Sequence, residues 1–203
     1  MAADCPVNRP PVIGLAGGIG AGKSAAANAL RELGCVVADA DALAKASLDA
    51  PAIRDQLLAW WGPDMLDDQG LIDRASLAAI VFEQPDALER LEGIIHPEVE
   101  RARAALFDAA PASARALVID APLLFEVGLD ERCDLVIYID ASRETRLKRV
   151  AETRGWDARE LDRREVRQLA LDTKRSRADH VVVNEEGPDA LKAALAGLLE
   201  RLP

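Results

Sequence analysis

Eight consecutive residues, Gly17-Gly18-Ile19-Gly20-Ala21-Gly22-Lys23-Ser24, fit the pattern G-x-x-x-x-G-K-[ST]. The chemistry such a run supports is the holding of a polyphosphate. Its glycines let the backbone wrap an anion with N–H groups turned inward, and the helix that follows presents its positive end to the same charge. In this pattern Lys23 would reach the β- and γ-phosphates and Ser24 would ligate Mg²⁺. The flanks agree, with the apolar run Val12-Ile13-Gly14-Leu15-Ala16 before the loop and a helical stretch at about 22–33 after it.

A phosphate loop specifies a nucleotide but not a reaction. A GTPase would also need a guanine-reading N-K-x-D, which the chain lacks. Asp67-Asp68-Gln69-Gly70 spells D-x-x-G but follows Trp60-Trp61-Gly62-Pro63 rather than a strand. A small-molecule kinase needs a carboxylate to receive the acceptor's proton, a pocket for the acceptor, and cations that close over the transferring group. Asp39-Ala40-Asp41, at the end of the second strand-like run, offers the carboxylate. Asp41 stands where the chain leaves the sheet and suits a base, though an Asp there serves equally as the N-cap of a helix over Ala42–Leu48. Asp120, closing a third run, fits an acid that steadies Mg²⁺ through water, or else a solubilising charge at a strand end. Residues 143–177 hold 12 basic and 7 acidic side chains in an otherwise acidic chain. A helix through Arg143–Arg149, a break at Arg154-Gly155-Trp156 and a second helix to about Thr173 have the form of a lid. Lys148, Arg149 and above all Arg154 are its candidate phosphate cations, while Arg163 and Arg164 read as solvated or paired with nearby acids.

The elements that must position these groups are α/β. The runs at 12–16, 35–39, 116–120, 135–140 and 180–183 are short, mostly β-branched and without strict alternation, as strands buried on both faces are. Helical stretches follow at about 22–33, 142–153 and 188–201. Residues 42–115 contain no strand-like run. They read as helices over Ala42–Leu48, Ala52–Trp60, Arg74–Phe82, Asp86–Ile95 and Pro97–Ala109, punctuated by Pro63, Gly70, Pro85 and Pro97. The expected architecture is a parallel sheet with a helical insertion over its carboxyl edge, where ligands of open α/β folds bind.

Composition narrows the partners. A formal charge of −10 and seven aromatic residues argue against nucleic acid, which needs a basic face and stacking platforms. Cys5, Cys35 and Cys133 are widely spaced and read as no disulfide framework, with Cys35 and Cys133 as small buried residues. His96 and His180 form no HExxH, which argues against a zinc enzyme. Met1–Pro11 has no apolar leader core, and the uncharged run Pro10–Gly22 is too short and Gly-rich for a membrane span. The expectation is a cytoplasmic protein with neither nucleic-acid nor membrane partners; nothing in the sequence fixes an oligomeric state.

Gly17–Ser24, Asp39-Ala40-Asp41, His96-Pro97, Pro122-Leu123-Leu124-Phe125-Glu126, Gln168 with Lys174-Arg175, and Ala178-Asp179 with Asn184 stand in the order of the dephospho-CoA kinase family. The chain resembles that family from its first strand to its last helix. The resemblance implies phosphorylation of the ribose 3′-hydroxyl of dephospho-CoA, with ATP as co-substrate and Mg²⁺ as cofactor. This is the last step of CoA synthesis. It implies a P-loop kinase fold with a five-stranded parallel core over 1–41 and 116–203, a lid at about 149–175, and a helical substrate subdomain over 42–115. It makes Asp41 the base, assisted by Lys23 and Arg154, and puts Gly17 through Ala25, Arg149 and Asn184 at the ATP, Asn184 near its adenine. Asp39, Asp41, His96, Leu123 and Glu126 fall to the acceptor, and Ser24 and Asp120 to the metal. Ala16, Ala21 and Ala25 depart from the hydroxyl residues usual at those positions, which bears only on a hydroxyl contact near the ligands. His96 reads otherwise as a helix end before Pro97, and Pro122–Phe125 as core packing. Another small-molecule P-loop kinase is the nearest rival, and a nucleotide-dependent switch without turnover is a second.

Overall fold

The computed structural model describes residues 9–202; Cys5 and residues 1–8 of the opening segment lie outside them. The chain divides into two units, one before Asp39 and after Asp108, the other Asp39–Asp108. Those boundaries fall a few residues earlier than the 41/42 and 115/116 junctions drawn from the sequence.

The first unit is built on a five-stranded parallel sheet in the order β2-β3-β1-β4-β5. Its strands are β1 (Val12–Gly17), β2 (Val36–Asp39), β3 (Leu117–Asp120), β4 (Leu135–Asp140) and β5 (His180–Val183). Every residue of β1 is buried. That follows from its place in the middle, paired in parallel with β3 on one side and β4 on the other. The strand order reverses at β1, so the crevice outside its carboxyl end is where an open α/β sheet takes a ligand. Helix α1 (Lys23–Glu32) buries Ala26, Ala27, Ala29 and Leu30. It packs with α9 (Pro188–Leu199) in a core that includes Ile13, Leu15, Ile137, Leu195 and Leu198. Alanines on the buried face of α1 let it lie close to the sheet. Cys35 is buried in that core, and burial raises its thiol pKa. The second arm of the unit is helical: α6 (Arg143–Arg154), α7 (Ala158–Glu165) and α8 (Leu171–Arg177).

The Asp39–Asp108 unit has a core of its own around Ile53, Leu57, Met65, Ile72, Leu77 and Ile95. It holds α2 (Ala40–Ser47), α3 (Pro51–Trp61), α4 (Arg74–Glu83) and α5 (Pro85–Asp108), with a 3₁₀ turn at Pro63–Met65. The D-x-x-G at Asp67–Gly70 is a turn in which the Asp67 carboxylate accepts from the N–H of Gln69 and of Leu71.

Two expectations are corrected here. The helices expected on either side of Pro97 are one, with Pro97 inside α5 and His96 in mid-helix rather than at an end. Pro97 removes one donor to the Gly93 carbonyl. Gly93 and Pro97 are both exposed, so the freed carbonyl is not sealed in a core, and packing of α5 against α2 and α4 carries the helix through. The single helix expected after Trp156 is instead two, α7 and α8, separated by a turn at residues 166–170. The Glu126 carboxylate accepts from the Leu169 N–H at 2.9 Å within that turn.

Gly14 and Gly93 make a pair of opposite tests. A Cβ on Gly14 would stand 2.8 Å from Leu124 Cδ2 and 2.9 Å from Cys133 Sγ, whereas one on Gly93 meets nothing within 4 Å. Gly14→Ala should cost about 1–3 kcal/mol by overpacking. Gly93→Ala, in helical backbone, should add about 0.4–1 kcal/mol by restricting the unfolded chain. Urea denaturation of both variants checks the signs; equal effects would contradict the packing described.

Candidate active site

Strand β1 ends at Gly17, and the chain turns through Gly18–Gly22 before α1 starts at Lys23. Gly22 is the N-cap of α1 at φ 98°, a left-handed conformation that suits glycine. It offers α1 no side-chain cap, so the helix presents its first N–H groups to an incoming anion. Gly20, at φ 79°, is closed in by the neighbouring helix, since a Cβ there would lie 2.7 Å from the Arg146 carbonyl oxygen.

Strand β3 brings Asp120 opposite Leu15 in register with β1. Its carboxylate, 5% exposed, accepts from the Lys23 ammonium. The two residues assigned separately from the sequence, one to phosphate and one to metal, thus form one ion pair at the adjacent ends of β1 and β3. Ser24 lies exposed in the first turn of α1.

The loop is braced from its other side. The buried Asn184 follows β5, and its N–H donates to the Asp140 carbonyl. Its side-chain Nδ2 donates to the Ala21 carbonyl at 2.8 Å. Arg149, on α6, donates to the same Ala21 carbonyl at 3.2 Å and to the Asn184 carbonyl at 2.9 Å. Arg149 and Asn184, both assigned to ATP, therefore meet at the backbone of the loop. A Cβ on Gly22 would collide with the Asn184 amide, a second reason for glycine there.

Sequence reasoning missed Arg146. It is 5% exposed, donates to the Ile19 carbonyl at 3.2 Å and pairs with Glu165 at the end of α7. Its position three residues before Arg149 on the same face of α6 was the available signal. By contrast Lys148 and Arg154 are exposed. Arg154 and Arg164 both lie over the Trp156 ring, at 4.7 and 4.1 Å from its centre. Arg163 and Arg164 pair with Glu160, as their spacing indicates.

The segment after β3 contacts α8. Lys174, 1% exposed, places its ammonium 2.7 Å from Glu126 Oε1, 3.2 Å from Gln168 Oε1 and 3.4 Å from the Pro122 carbonyl. Glu126, assigned to the acceptor, thus has one oxygen taken by Lys174 and the Leu169 N–H, while Oε2 is buried with no hydrogen-bond partner among the described residues. Burial opposes ionisation of Glu126, but the Lys174 and Leu169 donors outweigh it and hold the carboxyl below the usual range. Leu123 is 40% exposed, and Leu124 and Phe125 are buried as core packing.

In the helical unit Asp39 ends β2 and is the N-cap of α2, accepting from the Ala42 N–H at 2.9 Å. The cap role weighed for Asp41 against that of a base thus belongs to Asp39, because α2 begins at Ala40 rather than Ala42. Asp41 is exposed in the first turn, its carboxylate not used for capping. His96 is exposed on α5, and His180 is a plain residue of β5.

A glycine-rich loop between a central parallel strand and a helix that opens on lysine, with an acid closing the neighbouring strand, defines a P-loop kinase. The dephospho-CoA kinase family model matches residues 11–189. A dephospho-CoA kinase of Anaeromyxobacter dehalogenans is 41% identical over 194 residues, covering 94% of this chain and 90% of that protein. The crystal structure of TT1252 from Thermus thermophilus is similar at a TM-score of 0.79 and 34% identity, over 97% of this chain and all of that one. Dephospho-CoA kinase from Campylobacter jejuni shares the fold at a TM-score of 0.69 and 24% identity, over 93% and 95% of the two chains. The chain belongs to the dephospho-CoA kinase family, and it uses a nucleotide. No helix among the described residues is long and apolar enough to cross a membrane.

Two outcomes follow from the bracing contacts. Asn184→Ala removes a buried donor from the Ala21 carbonyl and should cost about 1–2 kcal/mol in folding stability, in addition to weakening ATP binding. Denaturation without nucleotide checks it, since a residue that only touches ATP would leave that curve unmoved. Because the folded-state pKa of Glu126 is lowered, its contribution is present above the unfolded value of about 4.3 and is lost as pH falls through the folded value. Glu126→Gln cannot titrate, so its urea midpoint should fall less than that of the wild type between about pH 5 and 3.

Proposed function

We propose that the protein transfers the γ-phosphoryl group of ATP to the ribose 3′-hydroxyl of dephospho-CoA, giving CoA and ADP in the last step of CoA synthesis in the cytoplasm. The observation that carries this reading is the Lys23–Asp120 pair at the phosphate loop of a chain that belongs to this family over residues 11–189. The loop N–H groups and the open end of α1 hold the β- and γ-phosphates. Lys23 exchanges Asp120 for phosphate oxygens and follows the charge that develops during transfer. Asp41 accepts the proton of the 3′-hydroxyl as its oxygen attacks the γ-phosphorus and the bond to the β-phosphate oxygen breaks. Asp39 supports Asp41 by fixing the start of α2, and His96 and Leu123 contribute to holding the acceptor.

Ser24 and Asp120 are hard oxygen donors of the kind that suits Mg²⁺, and they would hold it. Among the described residues no group of three or more His, Cys, Asp or Glu side chains forms a metal cage. A site of one hydroxyl and one carboxylate fits a cation that completes its shell with phosphate and water. When bound, Mg²⁺ supplies neutralisation of the phosphate charge. Arg154 sits where α6 breaks at Gly155, and its closure over the phosphates brings a cation and excludes water together.

The test is the identity of the product. Incubation with ATP, Mg²⁺ and dephospho-CoA should add one phosphoryl group, assigned to the ribose 3′-oxygen by mass spectrometry and phosphorus NMR. Transfer to another acceptor, or hydrolysis of ATP alone, would refute the reading. Asp41→Asn should lower kcat by about 10²–10⁴ with little change in substrate binding. Lys23→Ala should lower it by about 10²–10³. Near-normal turnover in either variant would reassign that residue.

A further inference from the structure

Lys174 is among the largest fully buried side chains of the described chain, and the mechanism above gives its charge no task. An ammonium has three N–H donors. Here three acceptors surround it: Glu126 Oε1, Gln168 Oε1 and the Pro122 carbonyl oxygen. Two of them belong to the segment that follows β3, and Pro122 lies two residues beyond the Asp120 that receives Lys23. The third belongs to the turn between α7 and α8. That turn is tied a second time, by the Leu169 N–H on Glu126.

Three residues before Lys174 on α8 stands Leu171. Its two methyl carbons lie 3.1 and 3.4 Å from where a Cβ of Gly18 would be, so the leucine rests against the phosphate loop. Helix α8 thus carries one side chain onto the loop and one into the segment behind Asp120. The rest of α8 is fastened to the same unit, through Arg175 to Asp140 at 3.6 Å and Arg177 to Asp130 at 2.5 Å. Arg177 also lies over the Phe125 ring at 4.6 Å.

We propose that the buried Glu126–Lys174 pair is a positioning element for the phosphate loop, holding α8 so that Leu171 fixes Gly18 while the segment 120–126 fixes the acid that Lys23 meets. Lys174 is buried and its ammonium is enclosed by Glu126, Gln168 and Pro122, so it is a positioning residue and not a catalytic one. A buried ion pair is poor evidence of stabilisation, since a neutral pair of similar volume often folds as well. What the ammonium supplies is direction: three bonds from one point, two to the segment after β3 and one to the turn between α7 and α8. A methionine fills the same space and directs nothing, and the planar fork of arginine cannot meet three acceptors around one nitrogen.

The inference rests on the kinase reading for its meaning, but its test does not depend on turnover. The variants are Glu126→Gln/Lys174→Met, which removes both charges together, and Lys174→Arg, which keeps the cation. Amide hydrogen exchange of residues 17–24 and affinity for a fluorescent ATP analogue are measured beside the urea midpoint. The double variant should keep a midpoint near that of the wild type, yet exchange faster in the loop and bind the analogue about tenfold more weakly. On dephospho-CoA its kcat should fall about 10–100-fold, the scale of a small misplacement, with KM for the acceptor little changed. Lys174→Arg should not restore loop protection. A double variant with wild-type loop exchange and nucleotide affinity overturns the proposal. If the double variant does not fold, Lys174→Arg decides, because wild-type exchange and affinity in it would likewise overturn the proposal. A wild-type protein that binds the analogue but leaves dephospho-CoA untouched refutes the function and leaves the exchange result to judge the pair.

Discussion

A carboxylate with 5% of its surface in contact with solvent requires a cation, and at the end of β3 that cation is Lys23. Much of the first unit is arranged around that requirement. To bring the lysine back beside Asp120, the chain leaving β1 must turn within the five residues Gly18–Gly22, and left-handed backbone at Gly20 and Gly22 makes the turn feasible. The same turn leaves α1 without a side-chain cap. A stored attraction between two protein charges and an unfilled demand for an anion therefore occupy one place. A phosphate that takes the lysine answers both.

The contacts around the loop divide by what they hold. Asn184 and Arg149 hold the Ala21 carbonyl, Arg146 holds the Ile19 carbonyl, and Leu171 lies against Gly18. Ala21 is thus fastened both to α6 and to the residue after β5, Ile19 to α6, and Gly18 lies against α8. Arg146 also binds Glu165, so the end of α7 shares a guanidinium with the loop. The arm that bears Arg154 is thereby connected directly to the phosphate loop.

Much of this was legible in the sequence because it is local. The phosphate loop, the five strands and most of the helices are written in contiguous residues, and the sequence boundaries fall close to those observed. The family motifs were equally readable, whereas the sequence left Asp41 even between a base and a helix cap, and the cap fell to Asp39. What could not be read depends on groups far apart in the chain. Arg146 looked like any member of a charged helix until Ile19 and Glu165 were placed around it. Lys174 read as part of a motif, with nothing to say that an ammionium would be enclosed by a glutamate 48 residues earlier. Pro97 misled in the other direction, because a local rule for ending helices yielded to packing along α5.

The sheet is interrupted in a way that bears on how the chain acquires its structure. β2 and β3 are neighbours, with the Val36 N–H on the Ala116 carbonyl and the Arg115 N–H on that of Gly34, yet the whole Asp39–Asp108 unit intervenes. Were that stretch a flexible loop, its closure entropy would delay the pairing. It has a hydrophobic centre of its own and can become compact before the strands meet. An early collapse of the insert would turn a distant encounter into a near one, so the order of events during synthesis favours the Asp39–Asp108 unit first and the outer sheet afterwards.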